Sequence, residues 1–189
     1  MKRIIILASG SGSNAENIIK YFQSSKIAQV THVLSNNEHA KVFERCEQLN
    51  IDASLFDKES LTKDDTVLNF LLTEADIIVL AGFLWRIPAK IVKTFPNKII
   101  NIHPALLPKY GGKGMYGMNV HKAVRENNEV ETGITIHYVN ENYDEGAIIF
   151  QAKTTVSTHD TANDIAKKAH TLEYEHFPKV IEDVILQNV

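Results

Sequence analysis

Two polar residues stand at the end of an apolar run, in the stretch NIHPALLPKYGG from residue 101 to residue 112. The preceding NKII is typical of a buried strand, and Asn101 and His103 would share one of its faces. An Asn amide can donate a hydrogen bond to an oxygen that gains negative charge, and a His can move protons near neutral pH. The pair therefore suits a reaction with an oxyanion and a proton transfer, unless both are strand-end groups that bond only to backbone.

A glycine-rich segment, Gly10 to Ala15, lies between the first apolar run and the first helical pattern. Glycines allow a tight turn, and a helix start offers free N–H groups and a positive dipole end, so a phosphate fits there. The segment also matches the loose dinucleotide fingerprint G-x-G-x-x-A, which requires an acidic residue after the second strand. That strand ends in Ser35, Asn36 and Asn37, which favours a single phosphate. The alternative is that Ser13 or Asn14 is only a helix N-cap.

A third polar candidate, Asp144, lies in the loop sequence NENYDEG. An Asp in a loop that ends in Gly is usually a turn residue. Beside His103, its carboxylate would instead favour the imidazolium and raise the pKa of the imidazole. The spacing along the chain leaves both interpretations open.

An apolar segment, AGFLWRIP, follows another buried run and carries Phe83, Leu84, Trp85 and Ile87. These side chains could line an apolar slot for a flat ring, since ligand pockets are built largely from aromatic and aliphatic walls. The alternative is that the segment is only the packing start of the next helix.

Side chains that could hold a metal do not have the spacing of a metal site, so we predict no metal. The histidines concerned are His121, His137, His159, His170 and His176. Glu173, in the same C-terminal segment, is by default a solvated residue. The single cysteine, Cys46, cannot form an internal disulfide and is interpreted as a packed thiol.

Length and composition are those of one globular domain, with 189 residues, 44% hydrophobic and 23% charged. A formal net charge of -3 gives no basic field to attract nucleic acid. The N-terminal MKRIIILASG is too short an apolar run to span a bilayer, so it predicts a first strand rather than a signal peptide. We therefore expect a cytoplasmic protein that binds neither nucleic acid nor membrane.

Apolar runs alternate with helical patterns over the first hundred residues, which predicts a Rossmann-like, mostly parallel α/β sheet with helices on both faces. Strands are predicted near residues 3–8, 30–37, 51–56, 75–83 and 97–103, with helices between them, including one near 61–73 and one near 88–94. In such a sheet ligands gather at the carboxyl ends of the strands. The polar and glycine-rich strand ends described above should therefore share one rim.

The remaining sequence departs from this alternation. Two strand patterns, near 132–139 and 147–156, flank the loop NENYDEG and predict an antiparallel hairpin. The C-terminal pattern is that of a long helix, in which Pro178 should cause a kink or a break. One domain, 1–189, is predicted, with a phosphate-binding half over 1–100 followed by a second half over 101–189.

The chain resembles the folate-dependent glycinamide ribonucleotide (GAR) formyltransferases of purine synthesis. The similarity covers nearly the whole chain and runs through ILASGSGSN, SNN, VLAGF, NIHPALLPKY, TGITIHYV, DEGAIIFQ and HTLEYEHFP. The combination of NIHPALLP with a later D-x-G is specific to enzymes that transfer formyl groups from folate. The resemblance implies transfer of a formyl group from 10-formyltetrahydrofolate, the co-substrate, to the amine of GAR, with no metal and no covalent enzyme intermediate.

The resemblance also implies that residues 101–189 form a catalytic and folate-loop half, and it implies roles for particular residues. The catalytic set is Asn101, His103 and Asp144. The GAR-binding set is Gly12, Ser13, Asn14, His170 and Glu173. The folate-binding set is Leu84, Trp85, Arg86, Ile87, Asn101, Asn140, Glu141, Asn142, Tyr143 and Asp144. Lys109 is implied to face the substrate phosphate, and Lys58 or Lys63 to lie near the folate tail.

Two other functions remain alternatives. One is another folate formyl-handling enzyme, such as formyltetrahydrofolate hydrolase or methionyl-tRNA formyltransferase, each of which is expected to need a further domain. The other is a nucleotide-binding module without chemistry. The expected partners are the two small-molecule substrates, and both a monomer and a homodimer are compatible with the sequence.

Overall fold

A computed structural model describes residues 1–187 of the chain as a layered α/β structure. Its strands form one seven-stranded sheet. They are β1 (Lys2–Leu7), β2 (Ala28–Ser35), β3 (Asp52–Leu55), β4 (Ile77–Leu80), β5 (Ile99–His103), β6 (Glu131–Tyr138) and β7 (Ile148–Thr155). The helices are α1 (Ser13–Phe22), α2 (Val42–Gln48), α3 (Lys58–Thr62), α4 (Thr66–Glu74), α5 (Ala89–Thr94), α6 (Met118–Glu126) and α7 (Ala162–Gln187).

The strand order across the sheet is β3-β2-β1-β4-β5-β6-β7. Strands β1 to β5 are parallel, whereas β6 runs antiparallel to both β5 and β7. The predicted mostly parallel sheet with a C-terminal antiparallel hairpin is therefore confirmed. Strands β2 and β3 are added in turn on one side of β1, and strands β5, β6 and β7 are added in turn beyond β4 on the other side. This reversal of strand order opens a crevice at the carboxyl ends of β1 and β4, where doubly wound folds bind ligands.

The core lies on both faces of the sheet, as alternation along β1 shows. Ile4 and Ile6 pack with residues of α1, α2 and α7 on one face. Ile5 and Leu7 pack with residues of α4 and α5 on the other. Each of these side chains is at most 1% exposed, and full burial of such a side chain is worth about 1.5–3 kcal/mol. A strand that is buried on both faces can hold the loop that follows it rigidly.

Cys46 lies in this core on α2, where it is 1% exposed. Burial raises the pKa of the Cys46 thiol to about 11, so the thiol is protonated at neutral pH. This environment agrees with its interpretation as a packed thiol.

The helix predicted near 61–73 is divided into α3 and α4. Between them Asp65 has a φ of 61°, in the left-handed region, and the Thr66 N–H donates to Asp64 Oδ1. The prediction of one helix was wrong because two consecutive Asp residues favour turns and caps over helix interiors.

Helix α7 continues through Pro178 without a break. A proline removes the N–H that would bond the carbonyl four residues earlier, here that of Tyr174. The Tyr174 carbonyl instead accepts a hydrogen bond of 3.0 Å from Asn17 Nδ2 on α1. The freed carbonyl thus joins α7 to α1. Although α7 has 26 residues, none of the helices within residues 1–187 has the length and apolar character needed to cross a membrane.

Candidate active site

The carboxyl edge of the sheet carries a cleft of about 640 Å³. Its walls come from the loop after β1, the ends of β4 and β5, the segment before α6 and the middle of α7. The sequence-predicted residues that line it are Gly12, Ser13, Asn14, Leu84, Asn101, His103, Tyr143, Asp144, His170 and Glu173. The structure therefore brings the predicted catalytic and GAR-binding sets together in one cavity.

The loop after β1 has the conformation of an anion cradle. Gly12 has a φ of +71°, and a Cβ there would lie 2.5 Å from Val42 Cγ2. Only glycine fits this position without displacing α2. Gly12 is also the N-cap of α1 and offers no side-chain cap, so the N-cap alternative for Ser13 and Asn14 was wrong. The first N–H groups of α1 have no carbonyl partner within the helix and can bind an anion.

Polar contacts fix the start of this loop against two neighbouring strands. The Ser9 hydroxyl donates to Asn36 Oδ1 at 2.6 Å and accepts from the Leu84 N–H at 3.0 Å. Asn37 Nδ2 donates to the Ser9 carbonyl at 3.1 Å. The polar end of β2 therefore braces the loop.

Glu173 lies at the junction of α7 and the loop after β1. Its side chain is 7% exposed, so the expectation of a solvated residue was wrong. Its Oε2 accepts from Asn14 Nδ2 at 2.8 Å and faces His170 Nδ1 at 3.0 Å. The carboxylate raises the pKa of His170 through this contact. Glu173 thus connects two of the predicted GAR-binding residues.

Strand pairing places Asn101 beside a second histidine. In the antiparallel register of β5 and β6, Asn101 is opposite His137 and His103 is opposite Thr135. Asn101 Nδ2 lies 3.0 Å from His137 Nε2, and His137 Nδ1 lies 2.8 Å from the Tyr138 carbonyl. Because a carbonyl only accepts, His137 Nδ1 carries a proton, and in this tautomer Nε2 can accept from Asn101. One amide hydrogen of Asn101 is thereby held, and the other remains for a ligand.

His103 is 4% exposed and has a defined orientation. Its Nε2 lies 2.7 Å from the Tyr110 carbonyl, and its Nδ1 lies 3.6 Å from Asp144 Oδ2. The carbonyl acceptor keeps a proton on Nε2, so Nδ1 is the nitrogen that can gain and lose a proton.

The pKa of His103 is lowered, because burial outweighs the opposing effect of Asp144 and of the bond to the Tyr110 carbonyl. The prediction that the Asp144 carboxylate acts to raise the pKa of His103 is confirmed in direction, but burial has the larger effect. Burial also acts to raise the pKa of Asp144, but His137, His103 and the Gly112 N–H together lower it. In the free protein at neutral pH the pair is a neutral imidazole beside a carboxylate.

A second cavity of about 400 Å³ adjoins the cleft, and Leu84 and Tyr143 line both. Its walls include Trp85 and Ile87, and its cationic residues are Lys58 and Arg86. Trp85 also packs edge-on to Phe56 and Phe83. The segment after β4 therefore forms a pocket as well as the approach to α5.

Three predicted folate-binding residues line neither cavity. Asn140 Oδ1 accepts from the Asn142 N–H, and Asn142 Nδ2 donates to Glu145. Glu141 pairs with Lys93 of α5 at 3.3 Å. These contacts shape the loop that carries Tyr143 and Asp144, and direct folate contacts from Asn140, Glu141 and Asn142 stay predictions.

Some of the lysines considered for binding the phosphate or the folate tail line a cavity, and others do not. Lys58 lines the second cavity, and Lys63 lines neither. Lys109 pairs with Glu129 at 2.9 Å and also lines neither, which gives its implied phosphate role no support. Lys113, in the segment before α6, does line the cleft.

Three contributors to the site were not singled out for it by sequence reasoning. His137 and the buried His121, which lines the cleft, had been set aside as scattered histidines. The Tyr110 carbonyl carries no sequence signal, because any residue presents a carbonyl. Alternation along TGITIHYV could have placed His137 on the same face as Thr135. Within residues 1–187 no group of three or more His, Cys, Asp or Glu side chains could hold a metal ion.

A doubly wound sheet with this cleft defines a class of α/β proteins that bind phosphate-bearing ligands at the switch in strand order. The strand-end amide, imidazole and carboxylate add the means to stabilise an oxyanion and to move a proton.

Sequence and structural similarity narrow this class. The formyl transferase family model matches residues 2–181. A phosphoribosylglycinamide formyltransferase from Haemophilus influenzae is 36% identical over 188 residues, covering 96% of this chain and 86% of that protein. The chloroplastic phosphoribosylglycinamide formyltransferase of Arabidopsis thaliana is 35% identical over 95% of this chain, which spans only 64% of its length. The crystal structure of phosphoribosylglycinamide formyltransferase from Anaplasma phagocytophilum has a TM-score of 0.88 at 31% identity, covering 98% of this chain and 88% of that chain. The chain belongs to the formyl transferase family, among its phosphoribosylglycinamide formyltransferases.

Proposed function

We propose that this protein transfers the formyl group of 10-formyltetrahydrofolate to the amine of GAR, a step of purine biosynthesis. The observation that carries the proposal is the continuity of the two cavities. The anion-binding loop opens into the larger cavity, the aromatic pocket forms the smaller, and the polar strand end lies in the larger with Leu84 and Tyr143 shared between them. Two substrates bound in this way would meet at Asn101 and His103.

GAR occupies the larger cavity in this proposal. Its phosphate binds the N–H groups at the start of α1, where the positive end of the helix dipole favours an anion. Ser13 and Asn14 contact the phosphate in this proposal, and His170 and Glu173 contact the ribose and glycinamide; the support is that all four line this cavity. Lys113 adds a cation on the same wall.

The folate occupies the smaller cavity. Its flat ring packs between the apolar side chains of Leu84, Trp85 and Ile87, and its acidic tail lies near Lys58 and Arg86. Of the two lysines considered for the tail, the lining of this cavity therefore favours Lys58 over Lys63. Residues 1–100 supply the phosphate loop and most of the lining of the smaller cavity, whereas residues from 101 onward supply the reacting groups and most of the lining of the larger cavity.

The chemical step needs an oxyanion donor and a proton carrier. The GAR amine forms a bond to the formyl carbon, and the formyl oxygen takes up the carbonyl electron pair. The second amide hydrogen of Asn101 donates to that oxygen. His103 Nδ1 accepts the proton that the amine loses and passes it to N10 as the carbon–N10 bond breaks. Asp144 stabilises the transient imidazolium, and holding both substrates together supplies much of the rate.

A product analysis tests this function. The purified protein is mixed with GAR and 10-formyltetrahydrofolate, and the products are followed by mass spectrometry. Formylated GAR together with tetrahydrofolate supports the proposal. Formate without formylated GAR would instead identify a hydrolase. Absence of both products, with GAR or NAD still raising the melting temperature, would identify a binding module; a ligand at about 100 times its Kd adds roughly 2.7 kcal/mol.

The partners in this proposal are the two small-molecule substrates. A cytoplasmic location stays a prediction, because two relatives are named as chloroplastic. Monomer and homodimer both remain compatible with the site, since its described walls all come from one chain.

A further inference from the structure

The turn formed by residues 110–112 contacts both members of the His103–Asp144 pair. The Tyr110 carbonyl accepts from His103 Nε2 at 2.7 Å, and the Gly112 N–H donates to Asp144 Oδ2 at 3.0 Å. The turn therefore sets the orientation of the imidazole and the position of the carboxylate together. Any shift of the turn would change the geometry at His103 Nδ1.

The backbone of this turn needs support from its surroundings. Tyr110 has a φ of +57°, in the left-handed region that side chains of its size rarely adopt. A Cβ on Gly111 would lie 2.6 Å from Leu107 Cδ2 and 3.3 Å from Asp144 Cβ, so the chain must stay close to both. A strained conformation of this kind persists only where neighbouring contacts hold it.

The Tyr110 side chain makes such a contact away from the cleft. Its hydroxyl donates to Glu129 Oε1 at 2.8 Å, and Lys109 Nζ lies 2.9 Å from the same oxygen. Burial and the Glu129 carboxylate raise the pKa of Tyr110 to about 12, so the phenol remains a donor at neutral pH. Glu129 lies two residues before β6, the strand that carries Thr135 and His137. The phenol therefore joins the turn to the segment that leads into β6.

Tyr110 and Glu129 line neither of the two substrate cavities. Both line a separate cavity of about 270 Å³ behind the loop, together with Lys153 and Glu131. Their side chains are therefore placed to affect the reaction only through other residues.

We propose that the Tyr110–Glu129 hydrogen bond is a positioning device for the transfer reaction. It holds the turn so that the Tyr110 carbonyl fixes the His103 tautomer and the Gly112 N–H fixes Asp144. Tyr110 and Glu129 are positioning residues, since neither touches substrate. This role rests on the proposed formyl transfer, but the tautomer that it requires is a property of the free protein.

Kinetics of three variants test the effect on chemistry. Tyr110→Phe removes the hydroxyl, and we expect kcat to fall by about 10–100-fold, since a small misplacement of reacting groups is costly, with KM for both substrates nearly unchanged. Glu129→Ala should act like Tyr110→Phe. Glu129→Gln should keep most of the kcat, because its amide oxygen still accepts from the phenol.

Nitrogen NMR of the free protein tests the tautomer without any substrate. With ¹⁵N-labelled histidine, His103 Nε2 should carry the proton in the native protein, whereas Tyr110→Phe should show both tautomers. Lys153→Met is the matched control, because Lys153 pairs with Glu131 at 2.9 Å on the rim of the same cavity and touches neither Tyr110 nor Glu129. It should leave kcat and the tautomer as in the native protein.

Either an unchanged kcat or an unchanged tautomer in Tyr110→Phe would overturn the positioning role. A loss of kcat with the native tautomer would also overturn it, since that result indicates a general effect on the fold. If the native protein transfers no formyl group, the proposed function fails. The NMR comparison alone then decides whether the Tyr110–Glu129 hydrogen bond orients His103.

Discussion

At the scale of single residues, the balance between burial and charge decides the state of His103. A neutral imidazole can accept a proton at Nδ1, and the nearby Asp144 carboxylate stabilises the cation that then forms. A permanently charged imidazole could not act as a base. The lowered pKa therefore fits a residue that receives a proton during the reaction and returns it in the same turnover.

Asp144→Asn tests this balance. The groups acting on His103 are Asp144, Glu173, His137 and the Tyr110 carbonyl, and Asp144 is the strongest that raises its pKa. Removing that charge should lower the pKa of His103 further, so the acid limb of the pH profile of kcat/KM should move to lower pH. We expect kcat to fall by about 10–100-fold, because the imidazolium loses its counter-charge.

Glu145→Gln is the control for that measurement. Glu145 lies on the same loop, is exposed and bonds Asn142, so the variant removes a loop charge without touching His103. Its acid limb should match that of the native protein. An acid limb that does not move in Asp144→Asn, or that moves to higher pH, would reject the coupling between Asp144 and His103.

The placement of residues at the cleft was predictable where a sequence motif carried it, whereas the burial of Glu173 was missed because a long-range contact accompanies it. Asn101 and His103 follow a recognisable strand, and the glycine-rich loop has its own pattern. Glu173 became buried because Asn14, 159 positions earlier in the chain, bonds its carboxylate. No local sequence pattern predicts a contact between residues so far apart in the chain.

At the scale of elements, α7 shows how a helix can contain a proline in its interior. The Asn17 amide replaces the missing N–H at the Tyr174 carbonyl, and the same bond holds α7 against α1. Both helices contribute residues to the cleft. The contact therefore supports the wall on which Asn14, His170 and Glu173 lie.

A double-mutant cycle tests this substitution of one donor for another. Asn17→Ala should lower the free energy of unfolding by about 1 kcal/mol, because the Tyr174 carbonyl loses its donor. In a Pro178→Ala background the backbone N–H at position 178 can bond that carbonyl, so Asn17→Ala should cost close to nothing. Denaturant unfolding of the native protein, the two single variants and the double variant gives the coupling free energy between positions 17 and 178. The effect of Pro178→Ala by itself cancels in this difference.

Asn127→Ala serves as the matched control, because Asn127 Nδ2 donates to the Ala123 carbonyl on α6, away from Pro178. Asn127→Ala should lower the free energy of unfolding by the same amount with Pro178 and with Ala at position 178. If Asn17→Ala lowers the free energy of unfolding equally with and without Pro178, the Asn17 amide does not replace the missing backbone N–H.

Sequence reasoning predicted the elements well where hydrophobic periodicity was strong, as in β1, β4 and β5. It failed where local chemistry or a distant partner overrode the pattern. Two Asp residues divided the helix predicted near 61–73. Of the kink or break predicted at Pro178, the break does not occur, and a donor on another helix bonds the freed carbonyl. The first cause could be read from the sequence, whereas the second required knowledge of the packing.

At the scale of the whole molecule, one sheet brings three separate functions to a single edge. In the proposed function, the start of α1 supplies an anion site, the segment after β4 supplies an aromatic pocket, and the end of β5 supplies the reacting groups. Since these surfaces meet only in the folded chain, the proposed transfer between two bound substrates would be a property of the whole domain.

A single-turnover comparison of the native protein with His103→Ala tests the central claim most directly. At saturating GAR and 10-formyltetrahydrofolate, the rate of formyl transfer should fall by about 10²–10⁴-fold in the variant, because it loses its proton carrier. The variant should still fold and bind GAR, and His159→Ala, which removes an exposed histidine elsewhere, should behave like the native protein. A near-normal rate in His103→Ala would contradict the assignment of the strand end as the centre of the reaction.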